Sequence, residues 1–191
     1  MTRLYRFEVP QPLSDETLKA ALGELPAWRL SRALSYRRPL DRFLSAQAYI
    51  LLRRGLREVF SFDEDFSFEY EALGKPRIAG RPDIHFSISH CPRCVCCAVS
   101  DAPVGVDVEQ IQYDGALARQ VFCADELSLI EAASDRPLEF TRLWTMKESY
   151  LKMTGEGLRD DLRGILCGVG ASFSADLCLE KGYVLCVCDF L

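Results

Sequence analysis

The segment Val104-Gly-Val-Asp-Val-Glu109 carries two acids two residues apart. In a strand, residues i and i+2 share a face. Asp107 and Glu109 therefore point one way, and Val106 and Val108 the other. Two like charges side by side repel unless a cation lies between them. An all-oxygen pair suits a hard ion such as Mg2+. Taken alone, a solvated strand edge is the simpler account. The stretch 138–153 changes that. Plotted at about 100° per residue, Phe140, Leu143, Trp144, Tyr150 and Leu151 form one apolar arc. Lys147 falls inside the arc, and a lysine buried without a partner is costly, so it needs an anion. Glu148 and Lys152 are four apart and flank the arc. A surface pair of that spacing is worth only about 0.2–0.5 kcal/mol and leaves Lys147 unexplained. A third carboxylate beside two lysines is the set that a metal-bridged phosphate requires.

Three further groups stand out. Phe86-Ser-Ile-Ser-His90 ends a strand with Ser89 and His90 adjacent, where a hydroxyl and an imidazole could meet a phosphate. A lone histidine is more often a core or capping residue. Lys75 sits on the turn Gly74-Lys75-Pro76, and alone it reads as a surface lysine. His85 falls outside the Ile84, Phe86, Ile88 face and receives no role. Between Arg29 and Arg57 there are eight arginines, no lysine and one acid, Asp41. Such a concentration in an acidic chain could attract a polyphosphate ligand or an acidic partner. A solvated helix face accounts well for Arg53, Arg54 and Arg57, and less well for Arg37 and Arg38.

These residues need elements to position them. Residues 4–9, 84–90, 94–99 and 104–109 alternate as strands, as does Phe66-Ser-Phe-Glu-Tyr70. Ser14 can cap a short helix, 15–22, that Gly23 ends. Residues 41–60 repeat Leu44, Ala48, Leu51, Leu52, Leu56 and Val59 at helical spacing. Further helices are predicted near 124–133 and at 138–153, the second stopped by Gly155 and Gly157. Leu177–Leu179 and Tyr183–Asp189 flank Lys181-Gly182 as a closing hairpin. The class is α+β. The seam falls at 101–103, which predicts a half at 1–102 and a half at 103–191, each a small, mostly antiparallel sheet packed on a long helix, with the active site between them.

Composition bounds the function. Asp+Glu exceed Lys+Arg, 28 to 23, so a uniformly basic nucleic-acid binder is excluded. No apolar run approaches the roughly 20 residues of a spanning helix, and the first residues, MTRLYRFEVPQ, hold no secretory apolar core. A cytoplasmic protein with no membrane or nucleic-acid partner is expected. The nine cysteines are an odd number in a chain long enough to bury a core without staples, so they read as free thiols, mostly small buried hydrophobes. Cys91-Pro-Arg-Cys94 has zinc or redox spacing, but no second such pair follows. A zinc-binding interaction module on Cys91, Cys94, Cys96 and Cys97 is the non-enzymatic alternative. Its geometry is poor, because Cys94 and Cys96 share a strand face and Cys97 does not.

Taken in order, Gly74-Lys75-Pro76, Phe86-Ser-Ile-Ser-His90, Val104-Gly-Val-Asp-Val-Glu109 and Leu143-Trp-Thr-Met-Lys-Glu-Ser-Tyr-Leu-Lys152 resemble the signature of the 4′-phosphopantetheinyl transferases. The spacing is similar to the Sfp-type members, in which two similar α/β halves related by a pseudo-two-fold are fused in one chain. The resemblance implies transfer of phosphopantetheine from coenzyme A to a serine of an apo acyl or peptidyl carrier protein, with release of 3′,5′-ADP. Such carriers serve fatty-acid, polyketide or nonribosomal-peptide synthesis. It implies Mg2+ on Asp107, Glu109 and Glu148, with Glu148 also a base for the serine, directly or through a metal-bound water. Ser89 and His90 then meet the coenzyme A phosphates, and Lys152 and Lys147 the pyrophosphate. Lys75 and Pro76 contact the adenosine end, and Arg37 and Arg42 the 3′-phosphate. Asp107, Glu148 and Lys152 are the implied catalytic residues, in a monomer. A Mg2+-dependent hydrolase of nucleotide pyrophosphates would want the same acids and lysines and is the enzymatic alternative.

Overall fold

A computed structural model describes residues 1–157, 162–166 and 170–190. Strand β1 (Arg3–Glu8) leads to α1 (Asp15–Gly23), whose start is capped by the Ser14 hydroxyl accepting from the Thr17 amide at 3.1 Å. Helix α2 (Ala27–Leu34) follows, then α3 (Pro39–Phe60), with its proline in the first turn where no amide partner is lost. A small hairpin, β2 (Phe68–Tyr70) and β3 (Pro76–Ile78), turns at Gly74-Lys75. Strands β4 (His85–Cys91) and β5 (Cys94–Ser100) form the next hairpin. After β6 (Val104–Gln110) come α4 (Gly115–Val121), α5 (Ala124–Ala132) and α6 (Arg136–Thr154). Gly155, in the left-handed region at φ 75°, stops α6. Strands β7 (Ala171–Cys178) and β8 (Tyr183–Phe190) close the chain.

The strands make two three-stranded antiparallel sheets, β1-β5-β4 and β6-β8-β7, besides the small hairpin. In each sheet, the strand that precedes a long helix pairs with the last strand of the hairpin that follows that helix. Period-two alternation sorts the side chains into layers. Val95, Cys97 and Val99 of β5 face α3 in one core. Cys94, Cys96 and Ala98 face Val104, Val106 and Val108 of β6 in a second core between the sheets. Helix α6 lies on the far side of β6 and β8 and packs against α4, α5 and Leu162–Leu166 in a third. The α+β class with small antiparallel sheets is as the sequence predicts. Helices α2 and α4 and strand β3 were not predicted, and β7 starts at Ala171 rather than near Leu177.

One close approach fixes the C-terminal layers. A Cβ on Gly105 would lie 1.8 Å from the Ser149 carbonyl oxygen and 2.5 Å from the Met153 amide nitrogen. Only glycine lets the backbones of β6 and α6 touch there. Eight cysteines fall among the described residues, all as free thiols, six of them buried; Cys167 lies outside those residues. Small side chains suit the thin layer between two sheets, as expected for buried hydrophobes. No helix of the described residues is long and apolar enough to cross a membrane.

Candidate active site

Alternation along β4 and β6 builds the site. Phe86 belongs to the α3 core, with Ile88 packed against it, so the intervening serines turn toward β6. The Ser87 hydroxyl accepts from the Val106 amide at 3.0 Å. The Ser89 hydroxyl donates to Asp107 Oδ1 at 2.7 Å. With Val106 and Val108 turned to the inter-sheet core, Asp107 and Glu109 share the opposite face, toward α6, as predicted. The last turns of α6 bring Lys152, whose Nζ donates to Asp107 Oδ1 at 2.6 Å and to Ser89 Oγ at 2.9 Å. Asp107 is buried, and its second oxygen, Oδ2, has no partner.

The local charge is unbalanced. Asp107, Glu109 and Glu148 line one cleft of about 490 Å³ with a single ammonium, Lys152, beside them. Burial, then the Asp107 charge, push the Glu109 carboxyl up to about 7, with Glu148 adding to the rise and Lys152 opposing it. Burial and Asp107 also raise Glu148. Burial alone would lower the Lys152 ammonium, but the Asp107 carboxylate against it outweighs this and holds it above its ordinary value. His90 keeps part of its surface open, yet lies deep enough in the cleft that desolvation lowers its imidazole, with Lys152 adding to that. Among the described residues, no three Asp, Glu, His or Cys side chains already converge as a ready metal site. The donor chemistry nonetheless fits a hard divalent cation: the carboxylates offer oxygen only, and one buried oxygen is unpartnered.

A second cavity of about 280 Å³ adjoins the first and shares Pro76, Phe86, Ile88, Glu148 and Lys152 with it. Leu73, Lys75, Leu151 and Gly157 are among its other walls. Lys75 Nζ donates to the Met153 carbonyl at 2.8 Å, tying the β2–β3 turn to the end of α6. Its partial burial lowers the ammonium.

Two expectations are corrected. Lys147 does find an anion, but an internal one. Its fully buried Nζ lies 2.8 Å from Glu126 Oε1 of α5, donates to the Leu162 carbonyl at 2.9 Å, and sits 5.3 Å from the Phe122 ring centre. It does not line the cleft, because the apolar arc it belongs to faces α4 and α5. Arg37 and Arg42 also lie outside the cleft lining. Arg37 is exposed, and Arg42 Nε donates to the Tyr36 carbonyl at 2.8 Å. The arginines that do line the cleft are Arg29 and Arg32, both on α2. Arg29 Nη2 donates to the Ser45 carbonyl at 3.1 Å, and its guanidinium lies over the Tyr49 ring at 5.2 Å. Its buried Nε has no partner. Their i, i+3 spacing was the available signal, hidden because α2 itself was not recognised.

The zinc alternative finds no support in the geometry. Cys94 and Cys96 sit between the sheets, Cys97 lies on the α3 side, and burial pushes the Cys94 thiol up to about 11.

Comparison with known proteins gives the family. The model of the 4′-phosphopantetheinyl transferase superfamily matches residues 103–182, from β6 to just before β8. The chain is 32% identical over 185 residues to 4′-phosphopantetheinyl transferase psf-1 of Bacillus pumilus, covering 93% of this chain and 79% of that one. It is 29% identical over 160 residues to 4′-phosphopantetheinyl transferase Sfp of Bacillus subtilis, covering 82% and 71%. With 4′-phosphopantetheinyl transferase gsp of Aneurinibacillus migulanus it shares 37% over 122 residues. A likeness of this depth, spanning both sheets and both walls of the cleft, makes the chain a member of the Sfp-type 4′-phosphopantetheinyl transferases.

Proposed function

We propose that this phosphopantetheinyl transferase takes its group from coenzyme A and places it on the serine of an apo acyl or peptidyl carrier protein in the cleft between β4, β6 and α6. The serine oxygen bonds to the phosphorus that bears pantetheine. The bond from that phosphorus to the bridging oxygen breaks, and 3′,5′-ADP leaves. The observation that carries this reading is the buried Asp107 carboxylate, with one oxygen held by Ser89 and Lys152 and the other unpartnered, beside two acids of raised pKa.

Each side chain then has a task. Lys152 faces the pyrophosphate and offsets charge that grows on the leaving oxygen. Ser89, engaged by both Lys152 and Asp107, fixes their mutual position. His90, uncharged near neutral pH because its pKa is lowered, offers a donor from the cleft wall. Glu148, with its raised pKa, accepts the serine proton. Asp107, Glu109 and Glu148 would hold Mg2+, which when bound draws charge from the pyrophosphate oxygens. Arg29 and Arg32 face the nucleotide 3′-phosphate in place of Arg37 and Arg42. Pro76 borders both cavities, where the adenosine and pantetheine ends part, while Lys75 lines the less polar cavity, which suits the pantetheine arm.

The recurring strand order supports reading residues 1–102 and 103–191 as two related halves of one pseudo-two-fold unit. One chain supplies both walls of the cleft, so a monomer suffices. Incubation with coenzyme A, Mg2+ and a panel of apo carrier proteins, read by intact mass, tests the reading. A carrier heavier by one phosphopantetheine is the expected result. Cleavage of coenzyme A at the same rate without any carrier would favour a pyrophosphate hydrolase instead.

A further inference from the structure

The arginine-rich stretch is not used up by the cleft. Arg53 pairs with Asp63 at 2.9 Å, and Arg54 with Glu58 at 2.8 Å. Arg29 and Arg32 line the cleft, and Arg42 braces the Tyr36 carbonyl. Arg57 stands exposed near the far end of α3. Arg37 and Arg38 remain. Both are exposed, and among the described residues their side chains meet no carboxylate or other partner.

Their position is electrostatically unfavourable in the isolated protein. They are adjacent like charges, and they immediately precede Pro39, the first residue of α3. A helix N-terminus carries partial positive charge and favours acids there, by about 0.3–1 kcal/mol each. Asp41 stands in the first turn of α3, but among the described residues it forms no ion pair with either arginine, and the turn that displays the pair is held in shape. The Ser35 hydroxyl donates to the Arg32 carbonyl at 2.7 Å, the Tyr36 amide donates to the Ala33 carbonyl at 3.3 Å, and Arg42 holds the Tyr36 carbonyl. The Arg32 guanidinium stacks 5.4 Å from the Tyr36 ring centre. Arg32 and Tyr36 both line the cleft, so the pair stands at its rim. Leu34, 46% exposed, and Tyr36, 36% exposed, add an apolar flank.

We propose that the Ser35–Arg38 turn is a docking surface for the acceptor protein, and that it recognises acidic side chains beside the acceptor serine. This rests on the transferase reading above. A folded protein cannot enter a cleft of about 490 Å³, so it must rest on the rim while its serine reaches Glu148. A preformed cationic turn speeds encounter with an acidic surface and sets its orientation. Coenzyme A is the wrong occupant, since Arg37 and Arg38 do not line the cleft that would hold it.

The test uses the apo carrier protein that the wild-type enzyme loads best in the panel. In Arg37→Glu/Arg38→Glu, KM for that carrier should rise by about tenfold or more at low salt, the lower end of what electrostatic steering supplies. The KM for coenzyme A and the kcat at saturating carrier should stay within error. The loss should shrink as salt approaches 1 M, where the Debye length is about 3 Å. An unchanged carrier KM at low salt overturns the docking role, as does a loss that salt does not alter. A rise confined to the coenzyme A KM returns the pair to the nucleotide. If the wild-type enzyme loads no carrier at all, the docking role falls together with the transferase reading.

Discussion

Helices α3 and α6 occupy matching places, each laid across a three-stranded sheet after the sheet's first strand. They are of similar length, 22 and 19 residues. Each has a close approach to its sheet at a glycine, Gly55 on α3 and Gly105 on β6. What they bury differs. Helix α3 buries Phe43, Leu44, Tyr49, Leu51, Leu52 and Leu56, with Ser45 and Gln47 its only buried polar side chains. Helix α6 buries Thr141, Thr145, Lys147 and Ser149 alongside Phe140, Leu143, Leu151 and Met153. The first is a scaffold whose stability comes from apolar area. The second is enclosed on more than one side and puts charged groups where hydrocarbon would stabilise more, so its packing serves the position of Glu148 and Lys152. Under the proposed function, similar frames leave the three carboxylates and Lys152 to the C-terminal part, and Ser89, His90, Arg29 and Arg32 to the N-terminal part.

The contrast can be broken first at the charged face of α6. Asp107→Ala should abolish turnover, because it removes the central carboxylate and leaves Lys152 without its counter-ion. Glu148→Gln should lower kcat by about 10²-fold or more if Glu148 takes the serine proton. Excess Mg2+ should not restore it; recovery at high Mg2+ would leave Glu148 as a ligand alone. Near-normal turnover of Glu148→Gln would remove Glu148 from the chemistry and leave Lys152 as the contribution of α6.

The two glycines sharpen the comparison in stability. Gly105→Ala drives a Cβ into the α6 backbone, and should cost more than about 4 kcal/mol or prevent folding. Gly55→Ala meets the Val99 Cγ2 at 2.6 Å and the Tyr5 ring at 3.1 Å. Those are side chains that can shift, and alanine favours the helix, so the net cost should be about 0–2 kcal/mol. Urea unfolding of both variants measures the gap; equal costs would mean that both helices ride on adjustable contacts.

The buried pair should fall between the two glycines. Lys147→Met leaves the Glu126 charge without its cation, though still accepting from the Cys123 amide, at about 3–5 kcal/mol, whereas Lys147→Met/Glu126→Leu should regain part of that. The double variant should keep the wild-type KM for coenzyme A. A raised KM despite restored stability would return Lys147 to the pyrophosphate. The smallest effect belongs to the sheet interface. Cys96→Ser should retain Mg2+-dependent activity, since its Sγ only donates to the Ser89 carbonyl at 3.5 Å and a hydroxyl can do the same. Stoichiometric zinc lost together with activity would contradict this.

The long elements and the acid cluster were legible because their signals are local. Asp107 and Glu109 share a face by period two, and Glu148 and Lys152 by one helical turn. Both spacings survive folding unchanged. The unread elements are short: eight residues in α2, seven in α4 and three in β3 carry too few periods to show a face. Strand β7 buries none of its eight residues fully, so no alternation marked its start. Lys147 was correctly flagged as needing an anion. Its partner Glu126 belongs to another helix, and nothing in the spacing of one helix could name it. Misreading α2 had a direct cost at the site: the arginine count pointed to the stretch, and only the fold separates Arg29 and Arg32 in the cleft from Arg37 and Arg38 on its rim.

The alternating thiols of β5 give the molecule its own gauge of breathing. Cys96 is sealed between the two sheets and Cys97 between its sheet and α3, and burial holds both above the ordinary thiol range. Neither thiol reacts with an alkylating agent while its layer stays shut. The time course of alkylation at one therefore counts separations of sheet from sheet, and at its neighbour separations of helix from sheet, so adjacent atoms on one strand time two different openings.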